Sequence, residues 1–481
     1  MAFNSTEFVF FFLAVFYVHW AVARWTSVRY AWLLAASCVF YASWSAKFLG
    51  LILVSSLLDY ACGLLLGRTN APGRRKLILG VSLAGNLGLL GFFKYANFFA
   101  ENAHAAFAQM GLGGVNEFVP WDIVLPVGIS FYTFQTLSYT IDVYRRELEP
   151  VRSPLQFALY VTFFPQLVAG PIVRASEFLP QLAQPTRFDD RAAQAGLFLM
   201  LCGLAKKVLL ADTIGIELVD PVFAKPDEHG PLGVVLGVWG ALFQFYLDFS
   251  AYSDVAIGAA ACLGYTLPLN FDRPFLSQTI SEFWRRWHIS LSTWFRDYVF
   301  MPLGGRGASR GAFARNVMIA FLLTGLWHGA GWNYVVWGGM HGVFTFVGAL
   351  LPRASAEQLA ARPVWERFLR RAWVFNLVAL SMLFFRNGTV AEGNKGFAGS
   401  LDMLAALAGD WTSMPTLRTA GVVALAVAAL IHWTPRAWIH ENSRERWIAA
   451  PSFAQACVLA LATGVLAALS YAKAPFIYFQ F

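Results

Sequence analysis

Charged residues are scarce in this sequence. Asp, Glu, Lys and Arg make up 13% of its 481 residues, whereas average soluble proteins carry about 25%. The mean hydropathy is +0.54, and 58% of the residues are hydrophobic. Because so few charges cannot keep a large surface in water, these values argue against an ordinary soluble enzyme and indicate a protein embedded in a lipid bilayer.

Cysteine is also rare, and none of the five cysteines forms a CxxC pair. All of them lie in or beside apolar segments, at Cys38, Cys62, Cys202, Cys262 and Cys457. A disulfide framework or a zinc site needs paired or clustered cysteines, so neither is expected. We predict buried, unreactive thiols, no metal site and no permanently bound cofactor.

Three other signals are missing. The sequence has no GxSxG motif, so a serine nucleophile on a nucleophile elbow is not favoured. It has no glycine-rich phosphate loop, since GGRG at 304–307 is too short to count. No positive segment precedes the apolar run 8–23, which we interpret as a retained first helix and not as a cleaved signal.

What the sequence does contain is long apolar runs separated by short basic loops. Crossing a bilayer takes about 20 apolar residues per helix, and the runs suffice for roughly ten to twelve such helices, with short re-entrant or interfacial helices between them. We therefore predict an all-α, polytopic membrane protein forming one domain over residues 1–481. The net charge of +8 lies in loops such as 68–76 and 353–371, which are expected in the cytoplasm, and no nucleic-acid partner is expected.

Some polar residues interrupt the apolar runs. Pro165 and Pro171 should break a helix, and irregular backbone at membrane depth must be buried in protein or line a cavity, so Gln166 is expected to face the interior. The run 123–144 carries several hydroxyl and amide side chains, which either join helices or line a substrate cavity. Lys207 and its neighbour Lys206 interrupt a later run and are expected to reach for an interface.

Asp248 and Tyr252 lie four residues apart and so share one face of a predicted helix. A carboxylate at this depth could serve acid–base chemistry or hold a cation. The alternative is that Asp248 pairs with the arginines at 285–296. The residues themselves leave both interpretations open.

The stretch 270–341 organises the chain, and we predict the catalytic centre there. On a helix over 282–299, Arg285, His288 and Arg296 would lie on one side and several tryptophans on the other. The segment is too charged for a simple span, so a short or re-entrant helix at the cytoplasmic side is predicted. Its arginines could hold the phosphates of an acyl carrier, or the helix could contact anionic lipid.

His328 ends an apolar run and has Gly325, Gly329 and Gly331 beside it. Glycines let a ligand or another backbone come close. An ionisable group at membrane depth indicates function by default, and a buried neutral imidazole is a common general base. The alternative is a hydrogen-bonded structural histidine, which is the interpretation favoured here for His341.

Several long motifs resemble the membrane-bound O-acyltransferase family, and within it the bacterial branch that O-acetylates alginate. They are FYTFQTLSYTIDVYRR, FFPQLVAGPIVR, FYLDFSAYSDVAIG, FWRRWHISLSTWFRDYVFMPLGG, GLWHGAGWN and the terminal PFIYFQF. The resemblance implies that His328 matches the near-invariant catalytic histidine and His288 a second, more variable polar site. Further residues are candidates for binding the substrate or donor: Arg285, Arg286, Arg296, Asp297, Trp327, Asn333, Gln166, Asp248 and Tyr252.

The resemblance also implies a function. A multi-pass protein of the bacterial inner membrane would pass an acetyl group from a cytoplasmic thioester, acetyl-CoA or another, toward an alginate-like polysaccharide or peptidoglycan, with a periplasmic acetyltransferase as partner. A D-alanyl transfer subunit using a phosphopantetheine carrier protein is one alternative. A transporter or export channel is another, although it would not require the paired WRRWH and WHG motifs.

Overall fold

The computed structural model describes residues 1–111, 119–307, 309–352, 355–389, 396–412, 414–469 and 476. Within these residues every regular element is a helix, which confirms an all-α protein. The internal contacts divide the chain into two compact parts, Met1–Arg187 and Phe188–Phe481, called here the N-terminal and C-terminal parts. Each is described by itself, and the single domain over 1–481 stays a prediction.

The N-terminal part is built around one long, kinked helix. Its helices are α1 Thr6–Ala21, α2 Thr26–Gly67, α3 Pro72–Leu90, α4 Ala96–Gln109, α5 Ile129–Arg145, α6 Pro154–Thr162 and α7 Ala175–Ala183. A π-helical turn, Gly91–Tyr95, joins α3 to α4. Helix α2 bends at Ser45, whose backbone is extended. The kink divides α2 into two successive helical segments.

Polar side chains join the helices of this part. Asp59 on α2 is fully buried and accepts hydrogen bonds from Ser82 and Asn86 on α3 and from Thr140 on α5. Thr136 on α5 donates to Asn86 as well. These contacts support the prediction that the polar residues of 123–144 hold helices together.

The proline-containing segment 163–174 is irregular, as predicted, because α6 ends at Thr162. The segment is buried, and Gln166 is 1% exposed. Its Nε2 donates a hydrogen bond of 2.7 Å to the carbonyl of Tyr160. The interior position of Gln166 is thus confirmed.

Arg75 is buried and lies in the first turn of α3, so the basic segment 68–76 is only partly a loop. Its guanidinium donates to four carbonyl oxygens near the ends of α2 and α5, those of Leu66, Thr69, Val143 and Tyr144. Carbonyls at the end of a helix need donors from outside the regular helix. Arg75 therefore ties two helix ends together in addition to any effect of its charge on topology.

The C-terminal part holds the central stretch. Its helices are α8 Asp190–Ala205, α9 Asp212–Ile214, α10 Asp220–Ala224, α11 Pro226–Cys262, α12 Ile280–Arg286, α13 Ile289–Phe295, α14 Arg310–His328, α15 Trp332–Leu350, α16 Ala356–Ala360, α17 Val364–Asn387, α18 Gly396–Leu407, α19 Thr419–Trp433, α20 Asn442–Ala449 and α21 Ser452–Leu469. π-Helical turns at Lys206–Ala211, Gly215–Val219, Arg296–Phe300 and Ala437–Glu441 link several of them, and Pro274–Leu276 is a 3₁₀ turn.

Four helical stretches in the described residues are long and apolar enough to cross a bilayer: Thr26–Gly67, Pro72–Gln109, Pro226–Cys262 and Val364–Asn387. The pair Thr419–Trp433 and Ala437–Ala449, bent by 97°, would make a fifth. The rest of the apolar sequence forms shorter or broken helices. The protein is therefore multi-pass, while the total of ten to twelve crossings stays a prediction.

Two expectations about surface features are corrected. The charged segment 352–371 is not a plain loop, because α16 and the start of α17 lie in it; its residues 353–354 fall outside the described part. The thiols are not all buried, since Cys457 is exposed on α21 and Cys38 and Cys202 are only half-buried. Because α21 turns much of its apolar surface outward, an apolar neighbourhood in the sequence did not mean burial.

Helices α14 and α15 pack backbone to backbone. A Cβ on Gly325 would lie 2.1 Å from the carbonyl oxygen of Tyr334, and one on Gly338 would lie 2.4 Å from that of Phe321. Only glycine permits such an approach. The prediction that another backbone comes close beside His328 is thus confirmed, and His328, the last residue of α14, is held against α15.

Candidate active site

His288 lies at a break between two short helices. Helix α12 ends at Arg286 and α13 begins at Ile289, with His288 between them in a left-handed conformation, φ 42° and ψ 56°. The single helix predicted over 282–299 is therefore wrong. The cause is the preceding segment, because Asn270 accepts the backbone N–H of Ile289 and Asp272 donates its own to Arg286.

Asn270 is fully buried and fixes the orientation of His288. Its Oδ1 accepts the backbone N–H and the hydroxyl of Ser290, and its Nδ2 donates to Ser253. The Nδ1 of His288 lies 3.2 Å from the same Oδ1, so these partners assign the ring proton to Nδ1. The lone pair of His288 is then on Nε2.

His328 is packed among aromatic rings and is 6% exposed. Its ring centroid lies 5.0 Å from that of Trp327, 5.1 Å from that of Trp337 and 5.0 Å from that of Phe385. Gly329 follows it, and a Cβ there would meet the ring of Tyr334 at 2.0 Å. The turn after His328 therefore needs glycine for this packing.

His341, on α15, is 1% exposed. Its Nε2 lies 3.0 Å from the hydroxyl of Ser381 on α17, and that hydroxyl lies 2.6 Å from the carbonyl oxygen of Val378. A carbonyl can only accept, so the Ser381 proton goes to Val378 and His341 donates from Nε2. The lone pair of His341 is on Nδ1.

The three histidines line one small cavity of about 30 Å³. The other lining residues are apolar or aromatic: Leu242, Phe245, Phe249, Phe283, Trp287, Trp337, Val378, Met382 and Phe385. The space would hold about one or two water-sized groups. Since no charged side chain lines it, the imidazoles are the groups there that can move a proton.

A larger pocket of about 410 Å³ lies beside this cavity and is lined by Arg285, Arg296 and Arg306. Arg285 and Arg306 also line a further pocket of about 590 Å³. Trp284 lines the 410 Å³ pocket, and its ring centroid lies 5.0 Å from that of His341. Side chains in contact therefore connect the arginine-lined pocket with the histidine cavity.

Sequence comparison with protein families matches residues 83–388 to MBOAT, the membrane-bound O-acyltransferase family. The match covers more than half of the chain and includes the whole histidine cavity. The chain belongs to the membrane-bound O-acyltransferase family. It is accordingly an acyltransferase, as its motifs implied.

Individual relatives support this assignment. A probable alginate O-acetylase from Azotobacter vinelandii is 37% identical, over 90% of this chain and 83% of that protein. A peptidoglycan O-acetyltransferase from Helicobacter pylori is 31% identical, over 100% of this chain and 98% of that protein. A teichoic acid D-alanyltransferase from Streptococcus thermophilus is 31% identical, over 54% of this chain and 68% of that protein.

The predicted donor-binding arginines of this acyltransferase differ in their partners. Arg286 pairs with Glu282 at 2.9 Å and with Asp272 at 3.5 Å, and Arg296 pairs with Asp297 at 2.6 Å. No hydrogen bond or ion pair joins Arg285 to any described residue. Arg285 is therefore the arginine of this group whose charge is most available to a bound anion.

Asp248 lies outside the histidine cavity. Lys207 is 2% exposed and lies 2.6 Å from Asp248 and 2.7 Å from Asp212. Of the two interpretations left open for Asp248, ion pairing is the one observed, with Lys207 in place of the arginines at 285–296. The expected exposure of Lys207 at an interface is wrong. Tyr252 also lies away from the cavity, with its ring 5.0 Å from that of Phe476.

The remaining candidates divide in the same way. Trp327 belongs to the neighbourhood of the site, because its ring lies 6.0 Å from that of His288. Asn333 holds helices together, donating to the carbonyl of Phe384 and the hydroxyl of Ser400. Gln166 belongs to the N-terminal part, where its contact is with Tyr160.

Sequence reasoning missed Asn270, Ser381 and the α17 residues that close the cavity. Asn270 had a usable signal, as a lone amide directly before the central motif. The α17 residues gave none, because Val378, Met382 and Phe385 look like any lipid-facing run. Among the described residues no cluster of His, Cys, Asp and Glu could hold a metal ion.

Proposed function

We propose that this acyltransferase moves an acetyl group from a thioester donor to a hydroxyl of an exported or cell-wall polysaccharide, and that His328 is the general base. The observation that carries the proposal is the cavity in which three imidazoles meet without any charged neighbour. A buried, uncharged imidazole is a common general base. The alginate and peptidoglycan acetylating relatives support the acetyl group and the acceptor class.

In this reaction His328 takes the proton of the attacking hydroxyl. The hydroxyl oxygen bonds to the thioester carbonyl carbon, the carbon–sulfur bond breaks, and the thiolate leaves with the proton that His328 releases. One positioned base contributes about 10²–10⁴-fold to such a step. His288, with its lone pair on Nε2, is proposed as the second polar group at the reacting centre.

The arginine-lined pocket is proposed as the donor site. Guanidinium groups bind phosphate through paired hydrogen bonds, and an acetyl-CoA donor carries several phosphates. Arg285, Arg296 and Arg306 supply three guanidiniums there. The thioester would then reach the cavity past Trp284.

The acetyl group, and not its carrier, is proposed to cross the membrane. One charge at the bilayer centre costs at least about 2.5–3.5 kcal/mol on insertion scales. A carrier with several phosphates would therefore not cross the membrane, whereas a neutral acyl group carries no such cost. The donor is proposed to bind from the cytoplasm, where the basic segments 68–76 and 353–371 are also expected to lie. We further propose that this multi-pass protein lies in the bacterial inner membrane and works with a periplasmic acetyltransferase partner.

D-alanyl transfer is the competing acyl chemistry. Its relatives match about half of this chain, whereas the alginate and peptidoglycan relatives match nine-tenths or all of it. The extent of these matches favours an acetyl donor. Acetyl-CoA is therefore the first donor to test.

The test uses vesicles in which the orientation of the protein is known. Labelled acetyl-CoA is sealed on the side that corresponds to the cytoplasm. A de-acetylated alginate oligosaccharide and the periplasmic partner are placed on the opposite side. Label should appear on the oligosaccharide and should be lost with His328→Ala. Transfer that requires donor and acceptor on the same side, or carrier crossing with the acetyl group, would contradict the proposal.

A further inference from the structure

His341 gives the cavity a third functional nitrogen, which the sequence had led us to regard as structural. Its imidazole lines the cavity together with His288 and His328. It also touches Trp284, which lines the arginine pocket, and Trp337, whose ring lies 4.7 Å away and which also contacts His328. His341 therefore stands between the proposed donor pocket and the proposed base.

The hydrogen bonds of His341 are one-sided. Ser381 occupies Nε2, and Ser381 itself is not a lining residue of the cavity. Nδ1 is buried and has no hydrogen-bond partner among the described residues. The nitrogen available to the cavity is thus Nδ1, which carries a lone pair.

A buried acceptor without a partner costs free energy, and native structures satisfy nearly all such atoms with protein or water. The cavity is large enough for a hydroxyl group but too small for a sugar ring. An O–H donor is the group that fits both the space and the lone pair. Such a donor could be a bound water or a hydroxyl of the acceptor.

We propose that His341 binds an O–H group in the cavity through Nδ1 and that Ser381 is the positioning residue that holds its ring in the required tautomer. This inference rests on the proposed acyl transfer. It assigns His341 to substrate or water positioning and leaves proton abstraction to His328. A purely structural His341 would instead depend on the Nε2 bond to Ser381.

Two substitutions separate these roles, because the amide of Asn lies near the Nδ1 position and that of Gln near Nε2. His341→Asn keeps an acceptor toward the cavity and loses the Ser381 contact. His341→Gln keeps a group for Ser381 and loses the acceptor. The assay is thiol release from acetyl-CoA by the full-length protein, with and without de-acetylated alginate oligosaccharide.

The proposal expects kcat to fall about tenfold or more in His341→Gln and only about threefold in His341→Asn, with the KM for acetyl-CoA unchanged in both. If water is the bound group, thiol release without oligosaccharide falls as well. If the acceptor hydroxyl is bound, the loss appears with oligosaccharide, as a raised KM for it. A kcat of His341→Gln equal to or higher than that of His341→Asn would overturn the inference.

A third variant decides the case in which neither His341 protein folds. Ser381→Ala leaves the imidazole in place but frees its tautomer, so kcat should fall and its pH profile should change. An unchanged rate and profile would reject the inference. Wild-type thiol release that is abolished by His328→Gln upholds the acyl transfer separately, so a failure of this inference is distinct from a failure of the proposed function.

Discussion

Two groups of ionisable side chains are buried in the C-terminal part, and they are buried differently. Lys207 forms ion pairs of 2.7 Å with Asp212 and 2.6 Å with Asp248. The histidines at 288, 328 and 341 line a cavity and face aromatic rings. Both groups would count as functional by the rule that ionisable residues at membrane depth are rarely idle.

The difference lies in what each group still has to offer. The ammonium of Lys207 and the two carboxylates offset one another's charge. The imidazoles adjoin a space of hydroxyl size, and the partners of His288 and His341 leave a lone pair on each. An ionisable side chain at membrane depth thus shows only that its burial costs free energy. A cavity beside it is what suggests a part in the reaction.

The strongest test of this comparison is His328→Gln. The variant keeps a polar side chain of similar length but has no basic nitrogen, so transfer should fall by about 10²–10⁴-fold while the protein stays folded. His229→Gln, outside both groups, is the matched control and should retain full activity. Thiol release from acetyl-CoA together with gel-filtration behaviour measures both properties, and near-normal release by His328→Gln would remove the basis of the comparison.

The ion-paired group should respond in stability and not in turnover. Lys207→Met leaves two buried carboxylates without a cation, which should lower the free energy of unfolding by about 3–5 kcal/mol. Asp248→Asn keeps the Lys207–Asp212 pair and should cost less. The melting temperatures of the variants in detergent rank their stabilities. Lys225→Gln, which removes one partner of an exposed ion pair, is the control.

Activity per folded molecule completes that test. If folded Asp248→Asn protein has normal kcat, the group is structural, as its geometry suggests. A large loss of kcat in folded Asp248→Asn protein would instead give this carboxylate a part in the reaction. The two buried groups would then no longer differ in kind.

Much of this contrast could be predicted from the sequence. The glycines beside His328 predicted the close approach of another backbone there, and the breaks at Pro165 and Pro171 follow from proline chemistry. The partner of Asp248 was not predictable, because Lys207 is 41 positions away and only the packing of α11 against the π-helical turn Lys206–Ala211 brings them together. Periodicity assumes a continuous helix, so it missed the turn at His288.

The role of His341 shows a further limit. Its neighbours in the sequence resemble a structural helix, and they do form one. Ser381, on a different helix, binds Nε2 of His341 and so leaves the lone pair of the ring on Nδ1. Tautomer assignment requires three-dimensional partners, so no pattern within α15 could reveal it.

Asn270 offers a smaller and sharper effect within the histidine group. Asn270→Ala removes the acceptor for Nδ1 of His288 and for the Ser290 backbone, so kcat should fall about tenfold with little change in the donor KM. Asn270→Asp keeps that acceptor and should retain more activity. The pH profile is the deciding measurement, because a carboxylate at this position should favour the protonated imidazole, and unchanged profiles would deny Asn270 a positioning role.

The smallest expected effect concerns the arginine-lined pocket, where the alternative is contact with anionic lipid. Replacing Arg285 and Arg296 by Gln removes two guanidiniums from the pocket, and a loss of about 1.4 kcal/mol in binding would raise the KM for acetyl-CoA about tenfold. Acetyl-pantetheine, which lacks phosphates, should show almost no change. Arg286→Gln is the contrasting variant: because Arg286 is paired with Glu282 and Asp272, its loss should reduce folded yield more than donor affinity. An equal defect with both donors would assign the pocket arginines to lipid contact or packing, and the histidine cavity would then have to receive its donor by another route.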